Sequence, residues 1–477
     1  MKRALFLVCG VAALSVLAMA EQRASMRARD ETPSVHGPRV GEYASPIHSV
    51  IFVTVDGLMP ACYTDPAAHG LKLPTLEEMV QHGAYSPGMQ PVMPTLTYPS
   101  HTSLATGDNP GTHGIVTNGE WDPLGKNMGG WRWYAEDIRV PTLWSLAHAH
   151  GLKTAIDWWP VTNGAAADLR IPEYWRASNP EDLKLLRALS TPSGVMDEVA
   201  KRFPDFYENF IPPAVKDVAV ADIATYAIET LRPNLLLVHL PEVDHAEHEK
   251  GPWSPEADAA MENADKQIAR IIAAAKKSEM WEHSALVVAS DHGFAAVSRA
   301  VRPGVLLAQK GLVTLDDKGH VKEWKAYLLS GSGMAYIYLR DKNDTATAQA
   351  LLEIFAPLAG KAGSGIRRIA HADEIVQMGG DPQAFLALDA ADDFMFEGGY
   401  AGDYDEIPNV MGMHGYFPED PEMRASLLIY GPEIAPEKIE GARMIDVAPT
   451  IARWLGLKLQ HTDGKALAIP LKTSAER

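Results

Sequence analysis

The sequence has very few cysteines, which limits how the protein can be cross-linked. Only Cys9 and Cys62 occur among its 477 residues. Cys9 lies in an N-terminal apolar segment that we expect to be removed, so Cys62 would remain alone. No disulfide can then form within the mature chain. A chain of this length buries a core large enough to fold without such cross-links.

Long hydrophobic runs are missing beyond the first 20 residues. Residues 1–3 read Met-Lys-Arg, residues 4–17 are apolar, and residues 18–20 form a small-x-small pattern. This order predicts a secretory signal peptide over 1–20, since the apolar run is shorter than the roughly 20 residues of a membrane span. We therefore expect a periplasmic or secreted protein with no transmembrane segment after cleavage.

Positive charge is also scarce, because the formal net charge is −18. Surfaces that bind nucleic acid irrespective of its sequence are basic, whereas this chain is acidic, so we expect no stable nucleic-acid complex. A small phosphate ester or nucleotide remains possible as a substrate, because bound divalent cations reverse the sign of the charge locally. Arg132 and Lys153 are cations that could reach a substrate phosphate, and the alternative for both is a solvent-exposed position.

The stretch 94–101, Pro-Thr-Leu-Thr-Tyr-Pro-Ser-His, is the candidate centre of the chemistry. A Thr-aromatic-Pro turn before a helix-like run places the Thr97 hydroxyl at a helix N-terminus, where free N–H groups favour an anion. No Gly-x-Ser-x-Gly elbow surrounds it. A threonine hydroxyl needs an activator, and a metal ion is the expected one. Thr95 is the rival nucleophile.

Alternating strand and helix patterns predict an α/β fold. Apolar runs at 48–57, 234–240 and 285–290 read as buried parallel strands, each leading to an acid, and 426–431 reads as a weaker fourth strand. Helical patterns cover 142–150 and 257–277, so a doubly wound sheet with ligands at the strands' carboxyl ends is expected.

The expected domain organisation has four parts. A flexible segment over 21–45 follows the signal peptide, a catalytic domain covers 46–460, and a tail covers 461–477. Within the catalytic domain, residues 300–400 read as an inserted small α/β subdomain, because a strand at 334–339 precedes a helix around 345–356. Residues 121–215 fit the sheet less well, and seven of the eleven tryptophans lie between Trp121 and Trp175.

Acids and histidines recur just after the predicted strands or in glycine-flanked loops. Asp and His suit zinc better than magnesium, and an Asp-x-x-x-His spacing puts two ligands one helical turn apart. Taken singly, such an Asp is often a helix N-cap and such a His a satisfied polar group. Together they predict a metal centre. The residues are Asp56, Asp244, His248, Asp291, His292 and His414.

The order of these motifs resembles the alkaline phosphatase superfamily and, within it, the type I nucleotide pyrophosphatase/phosphodiesterase branch. The resemblance covers roughly residues 46–456 and follows the motif order. The motifs are Asp56, Thr97-Tyr98-Pro99-Ser100-His101 with Thr106-Gly107 and His113-Gly114-Ile115, Asp244-x-x-x-His248 before Gly251-Pro252, Ser290-Asp291-His292-Gly293 and His414-Gly415. It implies an alkaline-phosphatase-like sandwich with a central, mostly parallel sheet flanked by helices.

The resemblance also implies roles for these residues. Thr97 matches a nucleophile that forms a phospho-threonine intermediate, and Asn118 matches a donor to a phosphoryl oxygen. Two zinc ions per chain are implied. The first has Asp244, His248 and His414 as ligands, and the second has Asp56, Asp291 and His292, with Thr97 bridging towards it. One ion would activate the threonine hydroxyl while the other stabilises the leaving oxygen.

Tyr98 and His239 are the residues that the resemblance implies for substrate binding. Tyr98 matches an aromatic side chain that flanks a nucleotide base. His239 stands where nucleotide-cleaving members have a tyrosine, and the alternative is a core histidine at a strand end. Two further departures are Ser100, in place of an asparagine, and Glu247, in place of a small residue.

The sequence therefore predicts a metal-dependent phosphodiesterase or nucleotide pyrophosphatase that hydrolyses phosphoric diesters or anhydrides. Two alternatives stay open. A phosphomonoesterase or phosphonate hydrolase of the same superfamily would need cationic side chains for the extra phosphate charge, and none lies within the threonine motif. A metal-stabilised binding protein without turnover would not need an intact nucleophile with six ligands.

Overall fold

The computed structural model describes residues 45–472, with the exception of Met128, Ala177 and His461. The predicted signal peptide, nearly all of the segment 21–45 and the last five residues of the predicted tail lie outside the described residues. Among the helices that are described, none is long and apolar enough to cross a membrane.

The described strands and helices alternate along much of the chain. The strands are β1 (Ser49–Val55), β2 (Ala84–Met89), β3 (Thr154–Asp157), β4 (Leu169–Ile171), β5 (Leu235–Leu240), β6 (Ser284–Ala289), β7 (Ala295–Val301), β8 (Val313–Leu315), β9 (Val321–Trp324), β10 (Ala326–Ser330), β11 (Met334–Leu339), β12 (Ile366–His371), β13 (Leu386–Ala390), β14 (Asp393–Phe396), β15 (Asp405–Glu406), β16 (Gly412–Met413), β17 (Ala425–Tyr430) and β18 (Glu437–Lys438). The α-helices are Ala61–Thr64, Pro66–His69, Pro74–His82, Thr97–Thr106, Pro110–His113, Leu143–Ala149, Pro180–Leu189, Val195–Arg202, Phe206–Asn209, Asp217–Leu231, Glu242–Lys250, Pro255–Lys277, Gly304–Gln309, Thr345–Phe355, Ala372–Gln377 and Val447–Trp454.

An eight-stranded sheet forms the centre of the fold, in the order β18-β2-β17-β6-β1-β5-β3-β4. The strands from β6 to β4 are parallel to one another. β17 is antiparallel to both of its neighbours. The expectation of a mostly parallel sheet is confirmed, and the four strands expected from the apolar runs are β1, β5, β6 and β17.

The central strand β1 is buried along its whole length and packs against helices on both faces. Ile51, Val53 and Val55 contribute to one core cluster, whereas Val50 and Phe52 contribute to the other. Because side chains alternate along a strand, an unbroken apolar run supplies both layers. The helices Asp217–Leu231 and Pro255–Lys277 cover the first face, and Val447–Trp454 covers the second. This is the expected sandwich.

A second, smaller sheet lies within the segment 300–400. Its four strands are antiparallel, in the order β10-β11-β13-β12. The helices Thr345–Phe355 and Ala372–Gln377 accompany it, and the inner side chains of the first pack with the sheet in a separate core cluster. The small α/β unit is therefore present, and the domain limits 46–460 and 300–400 stay predictions.

Candidate metal centre and nucleophile

The carboxyl edge of the main sheet collects the acidic residues expected there. Asp56 directly follows β1, and Asp291 follows β6. Asp244 lies in the helix Glu242–Lys250, which begins two residues after β5. Because β6, β1 and β5 are adjacent and parallel, their carboxyl ends meet at one edge. Three carboxylates from distant parts of the sequence thus share one site.

His414 reaches the same site through a short antiparallel pairing. β16 pairs with β7, and Met413 lies opposite Ala295. The rings of His414 and His292 consequently stack, with centroids 3.6 Å apart and an interplanar angle of 7°. Glycine is required at Gly412, because a Cβ there would lie 2.5 Å from the backbone oxygen of Glu247.

The side chains form two overlapping groups with the spacing of metal ligands. Asp244, His248 and His414 form one group, and Asp56, Asp244 and His292 form the other. In each group the potential ligand atoms lie within 4.8 Å of one another. Asp291 adjoins the second group, because its Oδ2 is 3.2 Å from His292 Nε2. Asp244 therefore lies between the two groups, whereas the sequence assigned it to one.

Backbone carbonyls fix the orientation of the three candidate histidine ligands. A carbonyl oxygen only accepts hydrogen bonds, so each Nδ1 carries a proton, and in the neutral imidazole each Nε2 then keeps its lone pair. The Nδ1 atoms of His248, His292 and His414 donate to the backbone oxygens of Gly412, Gly293 and Thr95 at 3.0, 3.1 and 3.0 Å.

The Nε2 lone pairs point at carboxylate oxygens that also have lone pairs. Nε2 of His248 lies 3.3 Å from Asp244 Oδ1, and Nε2 of His292 lies 3.3 Å from Asp56 Oδ1. Asp56 Oδ1, Asp244 Oδ1 and Asp291 Oδ2 are buried and have no hydrogen-bond partner among the described residues. A histidine Nε2 and a carboxylate oxygen that both present lone pairs repel each other unless a proton or a cation lies between them. The donor set therefore fits divalent cations with nitrogen and oxygen ligands, such as zinc.

The protonation equilibria of the site reflect its burial and its excess of carboxylates. Burial and the neighbouring Asp291 raise the pKa of Asp56. Burial, followed by the charge of Asp244, raises the pKa of Asp291 to about 8. Burial lowers the pKa of His414 to about 4, and burial with the neighbouring His414 lowers that of His292. Neutral imidazoles beside buried carboxylates are the forms that bind a metal.

Thr97 lies at the start of the helix Thr97–Thr106, against this site. Its Oγ1 is 3.5 Å from His292 Nε2. Within the described chain, the Thr97 N–H has no hydrogen-bond partner, and Pro99 has no N–H. The next N–H, that of Tyr98, donates to Asn118 Oδ1 at 2.9 Å. Because that oxygen is used, the amide NH₂ of Asn118 is the group left to donate elsewhere.

The rival threonine occupies a different environment. Thr95 is buried, and its hydroxyl donates to the backbone oxygen of Tyr416 at 2.8 Å. Its own backbone oxygen accepts from His414 Nδ1. Thr95 therefore holds a candidate ligand in place, and its hydroxyl is already committed.

The two residues expected to bind substrate are both buried. The hydroxyl of Tyr98 donates to Glu173 Oε1 at 2.9 Å, and its ring contacts Trp131 edge-on. His239 lies in β5, with Nδ1 3.2 Å from Thr54 Oγ1 and Nε2 3.5 Å from Asp56 Oδ2. Its position is that of the core histidine that the sequence left as the alternative, and a substrate contact by either residue stays a prediction.

Three further residues of the site were given no functional role from the sequence, although Glu247 was noted as a departure from the family pattern. His101 donates from Nδ1 to the Thr97 backbone oxygen at 2.9 Å, and its presence in the threonine motif was the available signal. Glu173 binds the Tyr98 hydroxyl, and burial raises its pKa to about 7. Glu247 is buried, and neither of its carboxylate oxygens has a hydrogen-bond partner in the part of the chain that the structure describes. No sequence pattern marks Glu173, and the departure at Glu247 does not by itself indicate a buried carboxylate.

The sheet and the site it carries define an alkaline-phosphatase-like α/β protein. Residues 50–417 match the family model of type I phosphodiesterase/nucleotide pyrophosphatase. The chain belongs to this family, whose description is that of hydrolases of phosphodiester and pyrophosphate bonds.

Curated relatives match about half of the chain. An uncharacterised pyrophosphatase/phosphodiesterase of Schizosaccharomyces pombe is 26% identical over 258 residues, which are 52% of this chain and 45% of the relative. Human ectonucleotide pyrophosphatase/phosphodiesterase family member 1 is 25% identical over 229 residues, which are 46% of this chain and 21% of the relative. The chain thus spans less than half the length of these relatives.

Solved structures share the fold over more of the chain. Human ectonucleotide pyrophosphatase/phosphodiesterase 5 has a TM-score of 0.62 at 18% identity, and the match covers 87% of this chain and 97% of that one. The murine protein, solved as an inactive threonine-to-alanine variant in complex with AMP, has a TM-score of 0.59 at 21% identity, covering 88% and 97%.

Proposed function

We propose that the protein is a secreted, zinc-dependent phosphodiesterase or nucleotide pyrophosphatase that works through a covalent phospho-Thr97 intermediate. The observation that carries the proposal is the position of the Thr97 hydroxyl. It lies 3.5 Å from His292 Nε2, and His292 adjoins buried carboxylate oxygens that have no hydrogen-bond partner within residues 45–472 as described. A binding protein without turnover has no need for a hydroxyl there. The localisation rests on the predicted signal peptide and on relatives named as ectonucleotide enzymes.

The metal ligands are proposed as two sets. Asp244, His248 and His414 would hold one ion, and Asp56, Asp291 and His292 would hold the other, with the Thr97 hydroxyl directed to it. Bound zinc ions would neutralise the carboxylates, lower the pKa of the hydroxyl and stabilise developing charge on oxygen. The support is that the Nε2 atoms of the three histidines all face buried carboxylate oxygens for which the described structure shows no hydrogen-bond partner. Their Nδ1 atoms are held by backbone oxygens.

The chain's own groups then account for the group transfer. The Thr97 oxygen forms a bond to phosphorus while the bond to the leaving oxygen breaks, and water later hydrolyses the phospho-threonine. The free N–H of Thr97 and the amide NH₂ of Asn118 are positioned to donate to phosphoryl oxygens, as an oxyanion hole does. His101 fixes the backbone of the nucleophile through its bond to the Thr97 oxygen.

Replacing Asn118 by aspartate tests its proposed role. Asn118→Asp keeps the oxygen that accepts from the Tyr98 N–H but replaces the NH₂ donor by a second, negatively charged oxygen. We expect kcat to fall by roughly 10²-fold, because one charge-stabilising donor is lost. The thermal midpoint should change little. Unchanged kcat in folded, metal-loaded protein would contradict the role.

Substrate class separates the proposed activity from the closest alternative. A diester carries less negative charge than a monoester, and no Lys or Arg lies in the threonine stretch 94–107. We therefore expect a higher kcat/KM for bis(p-nitrophenyl) phosphate than for p-nitrophenyl phosphate. The reverse preference would assign the protein to the phosphomonoesterases or phosphonate hydrolases. The AMP bound by the murine relative supports a nucleotide as the natural substrate.

A further inference from the structure

Two strands of the main sheet each place a polar side chain in an apolar layer of the core. Thr54 lies in β1 and His239 in β5, and the parallel register puts these two residues side by side. Thr54 faces the same side of β1 as Val50 and Phe52, which belong to a core cluster. The exposed fractions of Thr54 and His239 are 0% and 2%. Because burying a polar group without partners is costly, their presence indicates a specific hydrogen-bonded arrangement.

His101 joins this pair from the helix Thr97–Thr106. Its Nε2 lies 2.8 Å from Thr54 Oγ1, and His239 Nδ1 lies 3.2 Å from the same oxygen. The rings of His101 and His239 meet edge-on, with centroids 4.4 Å apart and an interplanar angle of 86°. His101 Nδ1 donates to the Thr97 backbone oxygen at 2.9 Å, one helical turn earlier. A continuous chain of hydrogen bonds thus runs from β5 through β1 to the residue that carries the nucleophilic hydroxyl.

The hydrogen bonds of this chain all point in one direction. Burial lowers the pKa of His101 to about 3 and that of His239 well below its usual value, so each neutral ring carries one proton. The proton of His101 is on Nδ1, because the Thr97 carbonyl only accepts. His101 Nε2 therefore accepts from the Thr54 hydroxyl, whose other acceptor, the Val238 backbone oxygen, is farther away at 3.3 Å. The Thr54 oxygen in turn accepts from His239 Nδ1.

The chain adjoins the candidate metal site at two points. His239 Nε2 lies 3.5 Å from Asp56 Oδ2, and His101 Nδ1 lies 3.5 Å from Asp291 Oδ2. Asp56 is also only two residues beyond Thr54, directly after the end of β1. The helix that carries the nucleophile is therefore tied by hydrogen bonds to the strand that leads into a candidate ligand.

We infer that Thr54 is a positioning residue, which sets the distance between the Thr97 hydroxyl and the ion expected at Asp56. His101 links the strand to the backbone of the nucleophile, and His239 keeps the Thr54 hydroxyl turned towards His101. A misplacement of about 1 Å in a reacting group costs up to roughly 10²-fold in rate, so this fixation matters for turnover. The inference rests on the proposed function for the roles of Thr97 and Asp56, and it gives His239 a role other than substrate contact.

Removal of one hydroxyl tests the chain without touching the nucleophile or a candidate ligand. Thr54→Val keeps the shape of the side chain and its preference for a strand. At saturating zinc, we expect kcat for bis(p-nitrophenyl) phosphate to fall by roughly tenfold or more, with KM and the zinc content unchanged. Thr54→Ser should restore most of kcat, because it returns the hydroxyl.

Thr102→Val is the matched control. The Thr102 hydroxyl is also buried, lies in the same helix as His101 and donates to the Tyr98 backbone oxygen at 2.8 Å. It takes no part in the chain, so Thr102→Val should leave kcat unchanged. An equal fall of kcat in Thr54→Val and Thr102→Val would show a general effect of lost core hydroxyls and would overturn the inference.

Two substitutions of His239 separate positioning from substrate contact. His239→Asn keeps a nitrogen donor near the place of Nδ1, whereas His239→Leu removes it. We expect a higher kcat in His239→Asn than in His239→Leu, with similar KM values. A raised KM at unchanged kcat in both variants would show a substrate contact instead and would overturn the inference. Because both variants leave Thr54 in place, they decide the question even if Thr54→Val does not fold.

Nitrogen NMR of protein that contains isotope-labelled histidine tests the chain independently of turnover. We expect His101 to carry its proton on Nδ1, and we expect the signals of His101 Nε2 and His239 Nδ1 to shift in Thr54→Val. A proton on His101 Nε2 in the wild type, or unchanged kcat in Thr54→Val, would overturn the inference. Wild-type protein that does not hydrolyse the diester would instead defeat the proposed function while leaving these signals as expected, so the two failures are distinguishable.

Discussion

Thr97→Ala is expected to reduce turnover by at least roughly 10³-fold, because it removes the proposed covalent nucleophile. The substitution leaves the candidate ligands untouched, and the Tyr98 N–H keeps its bond to Asn118. Thr97 donates no side-chain bond to the backbone in the described structure, so the free energy of unfolding should change little. Steady-state hydrolysis of bis(p-nitrophenyl) phosphate, with thermal unfolding, measures both quantities.

Thr95→Ala is the matched control, since it removes a hydroxyl two residues away. The Thr95 hydroxyl donates to the Tyr416 backbone oxygen in the core, so its loss should cost about 1 kcal/mol of stability. Turnover should be largely retained, because its backbone oxygen still holds His414. Thr97→Ser should retain partial activity. An inactive Thr95→Ala beside an active Thr97→Ala, both folded and metal-loaded, would refute the assignment of the nucleophile.

Removal of metal is expected to abolish activity, and re-addition of zinc should restore it. Bound metal would relieve the repulsion between the buried carboxylate oxygens and the Nε2 lone pairs without the protonation of these groups, so metal depletion should also lower the thermal midpoint. We expect about two zinc ions per chain by elemental analysis of protein purified without chelators. Full activity in metal-free protein would eliminate the proposed mechanism.

Two histidines of the helix Glu242–Lys250 allow a test of the metal ligands with a matched control. His248→Gln should lower the zinc content, because Nε2 of His248 faces Asp244 Oδ1 at 3.3 Å. His245→Gln should retain the zinc, because His245 is absent from both ligand groups and its Nδ1 bonds to the Pro241 oxygen at 3.2 Å. Equal zinc loss in both variants would show that the helix is merely destabilised.

Local patterns predicted much of the central sheet because its strands are buried on both faces. The apolar runs marked β1, β5, β6 and β17, but the antiparallel direction of β17 left no trace in its composition. The short strands β3 and β4, the strand β2 and the edge strand β18 were not predicted. Their pairing depends on long-range packing, and β2 carries a proline and a glycine that weaken the pattern.

The candidate site was predictable where chemistry determines residue type, and less so where packing determines function. Aspartate and histidine after strands indicated the candidate ligands, since a metal needs such donors. The shared position of Asp244 follows from how the helix Glu242–Lys250 meets Asp56 and His414, which spacing along the chain does not encode. The pKa values of Glu173 and Glu247 are raised mainly by burial, and the charge of Asp244 adds to it.

The most direct test of the central claim is to look for phosphate on Thr97. Protein would be mixed with a substrate labelled at the transferred phosphoryl group, quenched in acid and digested, and the labelled peptide sequenced. We predict label on Thr97 in the wild type and none in Thr97→Ala. Label on Thr95 or another residue, or turnover in wild-type protein without any covalent label, would contradict the account.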